Sequence, residues 1–154
     1  MSQHVLLRLT TLIGIHQNFQ RHNPVSFLIP KLINHENLIL VNDVITNFLY
    51  VDDLAKILNT ILLNNVSGEY NIAGDESLSR YELGLKVKSF FSSSCSIIQS
   101  CSSLEFKMTA PRPKNIILHN KKIKKTLEFE FTTVDSALRD IIHSDKIISL
   151  QTKE

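Results

Sequence analysis

The spacing of the glycines is the feature that most restricts the folds open to this sequence. Only four glycines are present, and they lie far apart, at Gly14, Gly68, Gly74 and Gly84. A loop that cradles phosphate groups needs closely spaced glycines, because backbone N–H groups must approach the anion. Neither G-x-G-x-x-G nor G-x-x-x-x-G-K-[ST] occurs. The sequence therefore contains neither the standard dinucleotide-binding fingerprint nor a P-loop.

Length and charge exclude several classes of protein. The 154 residues suffice for one domain, and 43% of them are hydrophobic. The net charge of +2 gives no strong basic field, so neither nucleic acid nor an anionic membrane is expected as a partner. No apolar run reaches the roughly 18 residues of a membrane span, and the N-terminus lacks the features of a signal peptide. We expect a cytoplasmic protein.

The cysteines and histidines predict no metal site. Cys95 and Cys101 are too few for a disulfide scaffold, and no second pair completes a zinc site. His16 and His22 lie in a polar loop without a third ligand at a suitable spacing.

Strands alternate with helices along the chain, which predicts an α/β fold. The most secure helix follows Asp52 and Asp53, because acidic residues favour a helix N-terminus and apolar residues then recur at helical spacing. Ser79 and Glu82 form a predicted capping box. Asn120 and Thr133 are the predicted caps of the last two helices. The other predicted elements are a helix from Pro24, strands over residues 5–9, 37–41, 68–74 and 116–118, and a serine-rich loop with one short strand over residues 89–103.

The first strand has an unusual position. Residues 5–9 are mostly apolar and predict a buried strand almost at the first residue, so we expect its neighbouring strands to lie upstream of this chain. We expect Arg8 within it to pair with a carboxylate. We divide the chain into a last Rossmann-type strand and loop over residues 1–14, mixed elements over residues 15–150, and a tail over residues 151–154.

Several motifs follow one another in a characteristic order. Residues 68–74 read G-E-Y-N-I-A-G, residues 78–83 read L-S-R-Y-E-L and residues 112–115 read R-P-K-N. Leu7-Arg8, Gly14, Asn18-Phe19 and the V-D-D-L-A of residues 51–55 precede them. Over residues 5–142 the chain resembles the C-terminal half of the extended short-chain dehydrogenase/reductase superfamily. Within it, the chain resembles the dTDP-4-dehydrorhamnose reductase family.

The resemblance implies a reductase that acts on a nucleotide-linked 4-keto sugar with NADPH or NADH. In that family an N-terminal Rossmann half carries the glycine-rich loop and a catalytic Tyr-x-x-x-Lys, and the C-terminal half builds most of the sugar-nucleotide pocket. Here Tyr50, Tyr70 and Tyr81 are followed at the fourth position by Leu, Gly and Leu. We therefore predict the substrate-binding part of an extended Rossmann-type reductase, without the dinucleotide-binding half, catalytic residues or cofactor-binding residues. Whether Met1 is the natural start stays open.

The resemblance also indicates four substrate-binding residues. Asn18 and Phe19 occupy positions that offer an amide and a ring to the ligand, and Thr11 replaces an aromatic residue that the family often has near the substrate. Arg112, held between two prolines, suits bidentate recognition of phosphate. An ion pair is the structural alternative for Arg112. A structural role explains the other charged groups. The positive end of a helix explains Asp52 and Asp53. A solvated helix face explains Lys121, Lys122, Lys124 and Lys125.

Three functions remain open from the sequence. The chain is the nucleotide-sugar-binding portion of a reductase that is inactive alone and is completed by a Rossmann subunit or a homo-oligomer. Alternatively, it is a non-catalytic regulatory subunit resembling that of methionine adenosyltransferase, or a degenerate fragment.

Overall fold

The computed structural model describes residues 4–15, 22–91, 94–106, 110 and 113–144. These ranges contain strands and helices in alternation, with one short 3-10 turn at Ser103–Glu105. The strands are β1 (Val5–Leu9), β2 (Thr11–Ile13), β3 (Leu38–Val41), β4 (Ile45–Tyr50), β5 (Gly68–Ile72), β6 (Ser77–Ser79), β7 (Ile98–Cys101) and β8 (Asn115–Ile116). The helices are α1 (Pro24–Ile33), α2 (Val51–Leu63), α3 (Arg80–Lys88), α4 (Lys121–Leu127) and α5 (Val134–Ile142).

Parallel pairing dominates the sheets of the described chain. β1 pairs with β5, β3 pairs with β7, and β4 pairs with both β2 and β8, all in parallel. The pairing of β4 with β6 is antiparallel. Parallel strands need crossover connections, and the helices between the strands provide them. The predicted α/β class is confirmed.

Strand β4 is the centre of the fold, and the sequence analysis missed it. Its residues Thr46–Tyr50 are all buried. Because side chains alternate across a strand, Phe48 points into one apolar cluster and Leu49 into the other. The first cluster takes its side chains mainly from α1, α3 and α5, and the second takes them from α2, β5 and α4. A single strand thus joins the two halves of the core.

The helix starts confirm most of the predicted caps. The Asn23 side chain accepts from the backbone N–H groups of Val25 and Ser26, which fixes the start of α1 at Pro24. Ser79 and Glu82 form the predicted capping box, and Thr133 caps α5. Asn120 stands at the predicted N-cap position of α4, but its side chain makes no capping bond. Its amide donates instead to the Ala73 carbonyl at 2.8 Å and to Asp75 at 2.7 Å.

The prediction that β1 is buried needs correction. β1 is a strand, but Val5, Leu6 and Leu9 are exposed, because β5 is the only described strand that pairs with it. Its Arg8 pairs with Glu69 at 2.7 Å, as expected.

The lysines of α4 are not all solvated. Lys124 pairs with Asp75 and Glu130, each at 2.9 Å. Lys122 lies over the Tyr70 ring, 4.6 Å from its centroid. Two of the four lysines therefore hold α4 against neighbouring segments.

Candidate functional site

A groove of about 330 Å³ lies where the start of α1 meets β3 and the start of α3. Its volume is within the roughly 300–1,000 Å³ of small-molecule pockets. Most of its lining is apolar, and Phe27 and Ile39 leave 46% and 62% of their surfaces exposed. Arg80 is the one lysine or arginine among the described lining residues, and no aspartate or glutamate is among them. The groove therefore offers apolar surface and a permanent cation to a ligand.

Arg80 lies against the central strand β4. Its guanidinium carbon lies 5.7 Å from the centroid of the Phe48 ring, which itself is buried in β4. Desolvation against the protein lowers the pKa of Arg80, but a guanidinium stays charged at neutral pH. The residue as a whole remains exposed. No carboxylate of the described residues forms an ion pair with it.

Asn23 connects this groove to the segment that precedes it. Its Nδ2 donates to the Gly14 carbonyl at 2.9 Å, while its Oδ1 caps α1. The predicted ligands Asn18 and Phe19 lie between these two residues, outside the described part of the chain. Both described ends of their segment are therefore held together at a residue that lines the groove.

The two other predicted ligands have different positions. Thr11 lies on β2, half-buried and in register with Phe48, and it is not one of the residues that line the groove. Arg112 lies outside the described residues. All four substrate-binding assignments remain predictions.

The segment that follows Arg112 is firmly anchored. Lys114 pairs with Asp43 at 2.9 Å, and the Lys114 carbonyl accepts from the Ile45 N–H at 2.8 Å. Asp43 also accepts from the backbone N–H of Ser103 at 2.8 Å. The Lys114 bond, followed by the Ser103 bonds, holds the pKa of the Asp43 carboxyl well below its usual range. Asp43 thus joins three separate segments through one carboxylate.

We expect Asp43→Asn to lower the thermal midpoint at pH 7 by about 2–4 °C. Because the folded-state pKa is depressed, the stabilisation is present above the unfolded pKa of about 3.9 and is lost as the pH falls through the folded value. Melts followed by circular dichroism from pH 7 to pH 2 should show the gap between wild type and variant closing under acid. Asp140→Asn, a change at an exposed carboxylate, is the control. A difference in thermal midpoint between wild type and Asp43→Asn that widens in acid would contradict the stabilising role of the Asp43 carboxylate.

Asp52 and Asp53 do not form a catalytic pair of carboxylates. Asp53 is 1% exposed and accepts from the Thr132 N–H at 2.7 Å and from the Thr132 hydroxyl at 2.8 Å. Asp52 lies in the first turn of α2. The predicted structural role of both residues at the start of α2 is confirmed. Asp53 also binds the segment before α5 through Thr132.

Tyr50 does not provide an activated hydroxyl. Burial, together with the hydrogen bond to Asp52, raises the pKa of Tyr50 to about 12, whereas an acid–base tyrosine needs a pKa nearer to neutrality. The Tyr70 hydroxyl donates to the Ser67 carbonyl at 3.2 Å.

Three of the four glycines are packed tightly against other parts of the fold. Gly14, Gly74 and Gly84 each face protein atoms at the place where a Cβ would stand: Val51, the Phe48 carbonyl and Leu40 respectively. These glycines therefore allow close packing within the fold and leave no open backbone cradle for a diphosphate. Within the described ranges there is also no cluster of three His, Cys, Asp or Glu side chains able to hold a metal ion. No described helix is long and apolar enough to cross a membrane.

Comparison with known families shows which family this chain belongs to. The family model described as the RmlD substrate binding domain matches residues 1–147. The chain belongs to this family. No curated protein matches the sequence of this chain.

Solved structures share the fold. A dTDP-4-dehydrorhamnose reductase from Bacillus anthracis, solved with NADP, is 23% identical with a TM-score of 0.77 and covers 90% of this chain and 47% of its own. The Yersinia enterocolitica reductase is 16% identical with a TM-score of 0.79, covering 90% and 48%. A Thermus thermophilus UDP-glucose 4-epimerase, solved with NAD, is 17% identical with a TM-score of 0.72, covering 91% and 45%. The chain thus spans about half the length of these structural relatives.

Proposed function

We propose that this chain binds a nucleotide sugar in the groove between α1, β3 and α3. It would be the substrate-binding portion of a dTDP-4-dehydrorhamnose reductase-like, NAD(P)-dependent oxidoreductase. The observation that carries this proposal is an apolar groove with one arginine that forms no ion pair with any described carboxylate, in a member of the RmlD substrate binding domain family. A nucleoside diphosphate linked to a sugar has a planar base and an anionic centre, which match these two features.

The predicted ligands extend this pocket. Asn18 and Phe19 belong to a segment whose ends meet at Asn23, so we assign them to the contact with base or sugar. Arg112 precedes the anchored Lys114 by two residues, and we assign it to a phosphate. We keep Thr11 as a predicted contact at the half-buried start of β2.

The chemical step needs a further half. The 154 residues contain neither Tyr-x-x-x-Lys nor a glycine-rich loop, so NADPH or NADH and the acid catalyst would come from a dinucleotide-binding half. β1 is the place we propose for its docking. One edge of β1 pairs with β5, and on the described chain no strand pairs with the other edge. Unpaired strand edges add a further strand readily, and the exposed Val5, Leu6 and Leu9 would be covered by this addition.

Calorimetric titration of the chain with dTDP tests the binding role. We expect saturable, weak, one-site binding, with no NADPH-dependent reduction of dTDP-4-dehydrorhamnose by the chain alone. Addition of a separately expressed dinucleotide-binding half should produce a complex in sedimentation experiments and restore the reduction. The absence of saturable dTDP binding would contradict the binding role, and full turnover by the chain alone would contradict the division of labour.

The two other functions from the sequence analysis stay predictions. A regulatory role would require a stoichiometric partner in place of a nucleotide ligand. No contact of the described residues favours that role over nucleotide-sugar binding.

A further inference from the structure

No carboxylate of the described residues forms an ion pair with Arg80. The carboxylate nearest to it along the sequence, Glu82, is engaged by Ser79: one of its oxygens accepts from the Ser79 N–H at 2.7 Å and from the Ser79 hydroxyl at 2.8 Å. Glu82 therefore holds the helix start and does not form an ion pair with Arg80. An exposed arginine at a helix start usually needs no explanation, but this guanidinium is desolvated and lies at a groove.

The position of the guanidinium is set by rigid parts of the fold. Arg80 is the first residue of α3, whose start is fixed by the capping box. The Phe48 ring beneath the guanidinium belongs to the central strand and is 2% exposed. A cation–π contact uses none of the N–H donors of the guanidinium, so these donors stay available to planar or tetrahedral anions. The contact with Phe48 thus restrains the position of Arg80 before a ligand arrives.

The rest of the groove defines which ligand suits this cation. Phe27, Ile39 and Val41 contribute apolar surface, and none of the described residues that line the groove is a carboxylate that would repel an anion. The ligand should therefore be an anion joined to a flat or apolar group. A free phosphate would leave the apolar part of the groove unused, and a nucleoside would leave the guanidinium without a partner.

The geometry points to Arg80 as a phosphate-binding residue for the diphosphate of the nucleotide sugar. This assignment rests on the proposed function and names a residue that reads the anionic part of the ligand. Arg80 selects nucleoside diphosphates over uncharged nucleosides. It takes no part in moving a proton or a hydride.

The test compares dTDP with thymidine, which lacks the phosphates, in calorimetric titrations of the wild type, Arg80→Gln and Arg80→Lys. We expect Arg80→Gln to weaken dTDP binding about tenfold or more and to change thymidine binding less than twofold, because only the charge-assisted bonds are lost. Arg80→Lys should recover part of the loss by restoring the charge without the planar fork. Arg139→Gln makes the same charge change at an exposed residue of α5 and should leave both ligands unaffected.

The outcomes separate this inference from the proposed function. If the wild type binds dTDP and Arg80→Gln binds it equally well, the assignment of Arg80 is wrong and the groove remains the proposed site. If Arg80→Gln loses dTDP and thymidine alike, the residue supports the groove structurally, and the assignment is again wrong. If the wild type binds neither ligand, both the proposed function and the assignment fail. Thermal melts of each variant, compared with the wild type, exclude unfolding as the cause of lost binding.

Discussion

Gly74→Ala is expected to destabilise the chain by at least about 3 kcal/mol, which lowers the thermal midpoint by roughly 6–12 °C. A methyl group at this position would collide with the Phe48 carbonyl oxygen. That oxygen belongs to the backbone of β4, whose neighbouring side chains are fixed in both apolar clusters, so the strand has no room to move. The Gly74 carbonyl also accepts from the Asn47 amide at 2.9 Å, and a displaced Gly74 would break this bond. Chemical denaturation followed by circular dichroism measures the loss.

Gly84→Ala is the matched control for this substitution. A Cβ at Gly84 meets the end of the Leu40 side chain, which can rotate away, whereas the Phe48 carbonyl cannot. Alanine also favours helix over glycine by about 1 kcal/mol, and Gly84 lies within α3. We therefore expect Gly84→Ala to change the stability by less than about 1 kcal/mol. Equal effects of the two substitutions would contradict the close approach of Gly74 to β4.

Asp53→Ala is expected to cost about 3 kcal/mol, because it leaves the N–H and the hydroxyl of Thr132 without their acceptor in a buried place. These bonds join α2 to the segment before α5, which are almost eighty positions apart in the sequence. Loss of the tie should loosen α5 against β4. Chemical denaturation measures the loss of stability, and faster amide hydrogen exchange in α5 would locate it.

The neighbouring Asp52 supplies the control. Asp52 is exposed in the first turn of α2, so Asp52→Ala should cost only about 1 kcal/mol, from the lost interaction with the helix dipole and the lost hydrogen bond from Tyr50. If Asp53→Ala were as mild as Asp52→Ala, the buried tie would be wrong. The catalytic interpretation of the pair would then need to be considered again.

Local signals in the sequence predicted much of the fold. The recurrence of apolar residues after Asp53 predicted α2, and the structure buries Ile57 and Ile61 from that stripe. Ser79 with Glu82, and Thr133, were recognisable because a cap and its partner lie within four residues of each other. The resemblance to dTDP-4-dehydrorhamnose reductases was confirmed by the family match.

Long-range partners explain what the sequence did not show. β4 contains Thr46 and Asn47, polar residues that do not predict a buried strand. Asn47 is buried because its Nδ2 donates to the Gly74 carbonyl and its Oδ1 accepts from the Leu118 N–H at 2.8 Å. The side-chain bonds of Asn120 were missed for the same cause, because its partners Ala73 and Asp75 lie far back in the chain. Its sequence neighbours indicated only a side-chain cap of α4.

The position of Arg80 at the candidate site also depends on long-range contacts that its neighbours in the sequence do not indicate. Arg80 was visible within the capping motif, but its motif gave it no ligand role. Its place at the groove depends on α1 and β3, which lie some forty or more positions earlier in the chain. The absence of a nearby carboxylate partner is likewise a property of the folded chain. A charged residue that directly follows a capping serine, in a chain with a nucleotide-binding resemblance, was the one available signal.

The most direct test of the account is a two-dimensional ¹H–¹⁵N NMR titration of the chain with dTDP, which reports where the nucleotide binds. We predict saturable shifts for Phe27, Ile39, Val41 and Arg80 around the groove. Signals of α4, including the ion-paired Lys124, should stay unchanged. Shifts confined to α4 and its charged neighbours, or no saturable shifts at all, would contradict nucleotide-sugar binding in the groove.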